Sequence, residues 1–189
     1  MAYVFDAPPD VGGDGGFLKE PGLYHAQVKH VNDGKNFKGE SMHGFSIEIA
    51  ALAGPEKDKS LNLSFPNGES HKDGGEMARK KQAAFFLATG LIRPDQLGKR
   101  CEFDINSAEG RQVCLELENG KPNEQGKIYL GLKFTNIWHV DDPAAAKCEK
   151  DKEALGYIGK ELRHPPEYFA PLHAKKVAPA KSDKDFDDL

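Results

Sequence analysis

Lysines and aromatic rings recur side by side in this sequence, at Lys29, along the stretch Lys35, Phe37 and Lys38, and again at Tyr129 and Lys133. An ammonium group neutralises a phosphate and a flat ring stacks on a base, each stack contributing about 1 to 3 kcal/mol, so the pair suits an unpaired nucleic-acid strand. Alternation turns these side chains outward from two strands and from the loop after the first. A plainer account leaves Tyr129 as a solvent-facing strand aromatic and tucks Phe37 back onto the sheet. Arg79, Lys80 and Lys81 form a further basic cluster, with Lys80 and Lys81 as candidate phosphate contacts and a solvated helix face as the alternative.

A different chemistry stands at the far end, DKDFDDL, where Asp183, Asp185, Asp187 and Asp188 surround Phe186 and Leu189 follows. Carboxylates that find a basic pocket, with an apolar pair to fill it, make a short docking motif. The other uses of such a tip are to occupy the protein's own phosphate groove until nucleic acid displaces it, or to act as a solubilising tail.

Catalytic constellations are thinner. GGDGG near the N-terminus lacks the strand before it and the Lys after it that a phosphate-cradling loop requires. Glu69, His71 and Asp73 offer mixed ligands in a turn, with a single imidazole. Asp141 and Asp142 beside His139 have a simpler use, since Asp142 can cap a helix beginning at Pro143. Cys101, Cys114 and Cys148 stand singly, with no CxxC pair, which suggests neither a disulfide framework nor structural zinc and points to a reducing compartment. No catalytic residue, metal site or cofactor is assigned, and the expectation is a binding protein rather than an enzyme.

The formal net charge of −4 argues against coating of duplex DNA by bulk positive charge. Charge is divided along the chain, however. From Lys19 to Arg100 there are 13 Lys and Arg against 10 Asp and Glu, a surplus of 3, while the stretch from Glu102 to Glu118 and the last residues are acid-rich. That division permits a basic groove on an acidic protein. No apolar run approaches the ~18 residues that cross a bilayer, and the N-terminus lacks the order of a secretion signal. The expected location is the cytoplasm, a host's if the source is viral, with no membrane partner.

The elements that must position these residues follow from periodicity. Residues 1–21, rich in Gly, Pro and Asp, read as a flexible arm. Strand patterns then place Tyr24, Ala26 and Val28 inward with His25, Gln27 and Lys29 outward; Phe45, Ile47, Ile49 and Ala51 inward; and Leu61, Leu63 and Phe65 inward up to Pro66. Asp73 and Glu76 have capping-box spacing before the helix former-rich run EMARKKQAAFFLATG, with Met77, Ala84, Leu87 and Leu91 on its buried side and Gly90 as its stop. Alternation resumes at Cys101, Phe103 and Ile105, at Val113, Leu115 and Leu117, and at Ile128, Leu130, Leu132 and Phe134, the last set opposed by outward Tyr129, Gly131, Lys133 and Thr135. Trp138 is expected to plug the core end.

The predicted fold class is mainly β: a five-stranded OB-fold barrel over residues 22–142 with a helix between strands 3 and 4. A charged helix over 143–165 and a flexible linker and acidic tip over 166–189 complete the chain.

The strand, helix and strand order, the helix text EMARKKQAAFFLATGLI, the run FTNIWHVDDP from Phe134 to Pro143 and the acidic tip around Phe186 resemble the phage-type single-stranded DNA-binding proteins of replication and recombination gene clusters. The resemblance implies an OB fold, sequence-tolerant binding of single strands, and recruitment of replication or recombination proteins through the tip. The chain departs from the cellular members of that class, which end in Phe after Pro, and its linker holds a predicted helix and HPPEYFAP in place of a low-complexity stretch. RNA shares the stacking and phosphate contacts, so only 2′-hydroxyl contacts would separate it from DNA. A protein-interaction adaptor on the same barrel is the rival from another class, and self-association is left open.

Overall fold

A computed structural model describes residues 16–33, 44–68 and 75–174. Five strands form one antiparallel sheet: β1 (Gly22–Asn32), β2 (Gly44–Ala53), β3 (Ser60–Pro66), β4 (Gln112–Asn119) and β5 (Leu130–His139). Their order across the sheet is β3-β2-β1-β4-β5, which leaves β3 and β5 as the two edges. The helix α1 (Glu76–Ala88) packs against both β5 and β3, and a cleft of about 410 Å³ lined from both edges lies between them. The sheet is therefore a curled half-barrel that α1 bridges.

Period-2 patterning explains the inner surface. Tyr24, Ala26, Val28, Ile47, Ile49, Leu63, Phe65, Leu115 and Leu117 are all buried in one core. Phe45 stacks on Phe65 with ring centroids 4.9 Å apart, and Phe85 of α1 closes on Phe65 at 5.2 Å. These rings decide how α1 rotates. Its buried residues are Ala78, Phe85 and Ala88, while Met77, expected inside, is exposed. The bulk of Phe85 outweighs the thioether of Met77 in choosing the inward face.

The helix begins differently from the predicted capping box. Gly75 is its N-cap, in a left-handed conformation (φ 77°), so Glu76 is the first helical residue rather than the third; Asp73 lies outside the described residues. A Cβ on Gly75 would come within 2.8 Å of the Gly68 carbonyl oxygen, so the close approach of the end of β3 to the start of α1 needs glycine there. The helix stops as expected, with Thr89 Oγ1 donating to Phe85 O (2.8 Å) and Gly90 at φ 71°.

Three further expectations change. The stretch with Cys101, Phe103 and Ile105 forms no strand; a 3-10 turn, Ile105–Ala108, capped by Asp104, leads into β4. The arm is not free throughout: Phe17 bridges Ser60 in parallel, Leu18 N donates to Ser60 O (2.9 Å), and Leu18 joins the core. The charged stretch after Pro143 is not one helix but a chain of short turns, including α2 (Lys152–Gly156) and α3 (Ala170–His173). Asp142 and Asp151 cap separate turns, which breaks the run into pieces.

Those turns form a strap from Val140 to Ala174 over the outer face of β1, β4 and β5. A second apolar cluster, Cys114, Val140, Ala145 and Cys148 with Trp138, Leu155 and Ile158, lies beneath it. Trp138 thus serves this cluster rather than the end of the main core. His25, expected to face solvent, is wholly buried. Its Nδ1 accepts from Asp151 N–H (3.1 Å), which leaves the proton on Nε2 to donate to Gln112 Oε1 (2.9 Å), and Gln112 Nε2 donates in turn to Ala154 O (2.7 Å). Further along, Arg163 pairs with Asp141 (2.7 Å), His173 bonds Asp142 (2.7 Å), and Phe169 packs on His139. No helix among the described residues is long and apolar enough to cross a membrane.

Candidate nucleic-acid interface

The strap decides where a ligand can reach the sheet. It covers the outer side of His25, Gln112 and Cys114, which are all buried. Among the described residues, what remains is the rest of β1, the outer side of β2, the edges β3 and β5, and the hairpin joining β4 to β5.

The hairpin is ordered by its own sequence. Gly120 N donates to Tyr129 O (2.8 Å), and Asn123 Oδ1 accepts from both Gln125 N and Lys127 N at 2.9 Å. This Asx-type closure is the local reason for a tight turn. Lys121, Lys127, Ile128 and Tyr129 are left exposed on it. Tyr129 therefore sits in the hairpin just before β5 rather than inside the strand, with its ring 60% exposed.

The register of β5 then breaks. Leu117 pairs with Leu132 and Leu115 with Ile137, so the four residues Lys133 to Asn136 stand opposite the single residue Glu116. Glu116 fastens both ends of this bulge, accepting from Lys133 Nζ (2.6 Å) and Asn136 Nδ2 (2.7 Å). Those two bonds hold the Glu116 carboxyl below its usual range, Lys133 contributing most. The bulge also overturns the expected facing of Phe134, which is 61% exposed instead of buried; Ile128 is exposed as well.

The candidate residues divide accordingly. Lys81 of α1 sends its ammonium to Leu132 O (3.5 Å), the residue before Lys133 and three after Tyr129, while the Lys133 amine turns to Glu116 on β4. Lys29 is exposed on β1, with its amine on Gln27 Oε1 (3.2 Å), away from that group. Lys80 is exposed and paired with Glu76 (2.5 Å) along the helix surface. Lys35, Phe37 and Lys38 lie outside the described residues, as do Glu69, His71 and the tip residues Asp183, Asp185, Phe186, Asp187, Asp188 and Leu189. No family model matches the sequence, and no curated protein is similar to it.

Lys133 does not stand as an open charge, because Glu116 neutralises it in place. An approaching phosphate would share that ammonium with the carboxylate, whereas Lys81 gives one of its three N–H donors to a neutral carbonyl. The most perturbed histidine lies elsewhere, under the strap. Burial pulls the His139 imidazole down to about 4, against the opposing pull of Asp141, and burial also lowers His25. Both rings hold strap backbone, His139 Nδ1 accepting from Asp141 N–H (3.1 Å) as His25 does from Asp151. Burial favours the neutral form of both rings.

Sequence reasoning missed Phe134 as a surface residue. Strict period-2 counting cannot detect a four-against-one bulge. The signal lies in the pairing alone: Leu115 and Leu117 are two apart, while their partners Leu132 and Ile137 are five apart.

Proposed function

We propose that this chain binds single-stranded nucleic acid, DNA by preference, on an OB-type barrel, as a coating and recruiting protein of replication or recombination and not as an enzyme. The strand order, with β1 between β2 and β4 and a helix between β3 and β4, supports the OB assignment. The observation that carries the ligand assignment is that residues 129–133 hold the exposed Tyr129, the carbonyl that the Lys81 ammonium reaches, and Lys133. Cations that track phosphates beside rings that accept any base give affinity without sequence preference. The described buried histidines and aspartates are engaged in fastening the strap, which favours a binding role over a catalytic one. Recruitment through the acidic tip belongs to the same proposal.

A titration of the whole chain with fluorescently labelled oligo-dT at several salt concentrations tests the reading. Affinity falls with salt, each neutralised phosphate adding about 0.7 to the log–log slope. Tyr129→Ala weakens binding by about 1 to 3 kcal/mol at unchanged slope, whereas Lys81→Gln lowers the slope by about 0.7. Absence of any association in dilute buffer would sink the proposal, and a salt-independent partner interaction in its place would favour an adaptor. Competition with a matched RNA oligomer decides between the two nucleic acids.

A further inference from the structure

Among the described residues only two that are not glycine have a clearly positive φ, Asp58 at 69° and Phe134 at 48°. Asp58 lies in the turn before β3, where a short polar side chain tolerates the left-handed region. Phe134 has no such excuse, since bulky side chains are disfavoured there and it sits inside a strand. The surroundings impose the conformation: Lys133 and Asn136 are both held by the Glu116 carboxylate, so the chain between them must loop outward. Burial does not compensate for the strain, because the ring is 61% exposed. A fold that keeps a strained backbone in order to display an apolar ring to water marks a contact surface.

We infer that Phe134 is a base-stacking residue, aimed by the Glu116-fastened bulge, and the principal aromatic platform of the interface. The inference rests on the nucleic-acid reading above. Its occupant follows from what flanks it. Lys133 is the preceding residue, and the Lys81 ammonium touches the carbonyl two residues upstream. Because Lys133 is held by Glu116, the Lys81 ammonium at the Leu132 carbonyl is the cation placed to take a phosphate beside the ring. A second copy of the chain fits less well, because a two-fold contact through this edge would bring Lys81 toward its own counterpart.

Stacking and structural roles predict opposite responses to glycine. Phe134→Gly relieves the left-handed strain and removes the ring, so the full-length variant should melt at the parent temperature or up to about 3 °C above it. Its affinity for oligo-dT should fall on the order of 10-fold, with the salt slope unchanged because no phosphate contact is lost. Phe134→Trp should stay within about threefold of the parent, whereas Phe134→Leu, apolar but without a flat face, should bind as weakly as the glycine variant. Three results overturn the inference while leaving nucleic-acid binding intact: parental affinity in Phe134→Gly, a lowered melting temperature that exposes a packing role, or a changed molecular mass by sedimentation that assigns the ring to a copy–copy contact. If the parent itself shows no salt-dependent association, the functional reading fails and this one with it.

Discussion

Acid should loosen the strap before the carboxylates of Asp141, Asp151 and Glu56 give up the stability that their lowered titration supplies. The His139 imidazole titrates at 6.5 when unfolded and at about 4 when folded, because burial disfavours its charged form. Between those values the unfolded chain binds more protons, so stability is complete above pH 6.5 and declines as pH falls toward 4. The full contribution is about 3 kcal/mol, of which about 2 kcal/mol is lost by roughly pH 5. His25, also lowered, adds in the same direction. Carboxylates act below that window: Asp141 and Asp151 are held below 3.8, and Glu56 is drawn from 4.5 to about 2 by Lys59 and by the backbone amides of Lys19 and Glu20, so their contributions are lost later in the acid. Thermal melting followed by circular dichroism should therefore show Tm falling by about 4 to 8 °C between about pH 7.5 and about pH 5. His139→Asn preserves an acceptor near the Nδ1 position without a titrating group, and should flatten this dependence. A parent Tm that is level across the window, or an asparagine variant with the parent's slope, would refute the assignment of that stability to the buried imidazole.

Two other outcomes follow from the same structure. Phe85→Ala removes the ring that joins α1 to Phe45 and Phe65, and chemical denaturation should register a loss of about 3 to 5 kcal/mol. A chain ending at Ala180 should bind oligo-dT as tightly as the parent or more tightly, measured by anisotropy, while losing capture of the replication or recombination protein proposed to dock on the tip; weaker DNA binding would contradict the role proposed for the tip.

The inner surface of the sheet was legible because its cause is local. Alternation at Tyr24, Ala26 and Val28, at Ile47 and Ile49, and at Leu115 and Leu117 requires only a period of two and one buried side. The outer surface was not legible in the same way. His25 and Gln112 look like solvent positions until a segment more than 25 residues downstream of Gln112 covers them, and no local pattern announces such a cover. Ala84 and Leu91 pack on the core as expected, but the inward place of Phe85 in preference to Met77 was missed, because ring stacking among Phe45, Phe65 and Phe85 is a tertiary choice between faces of similar hydrophobicity. Of the candidate interface, Tyr129 and Lys133 share the stretch whose Leu132 carbonyl Lys81 reaches, while Phe134 was hidden by a register break that only the pairing with β4 reveals.

The second apolar cluster has a chemical consequence of its own. Cys114 and Cys148 are buried in it, and the Cys114 thiol is pushed upward by hydrogen bonding with Cys148 and by burial, so it offers almost no nucleophilic thiolate while the cover stays closed. Cys101, half-exposed outside the cluster, is open to reagents throughout. Alkylation of the native chain should then proceed in two regimes, one equivalent promptly and the others at the rate of local opening. The protein carries a built-in clock for that opening.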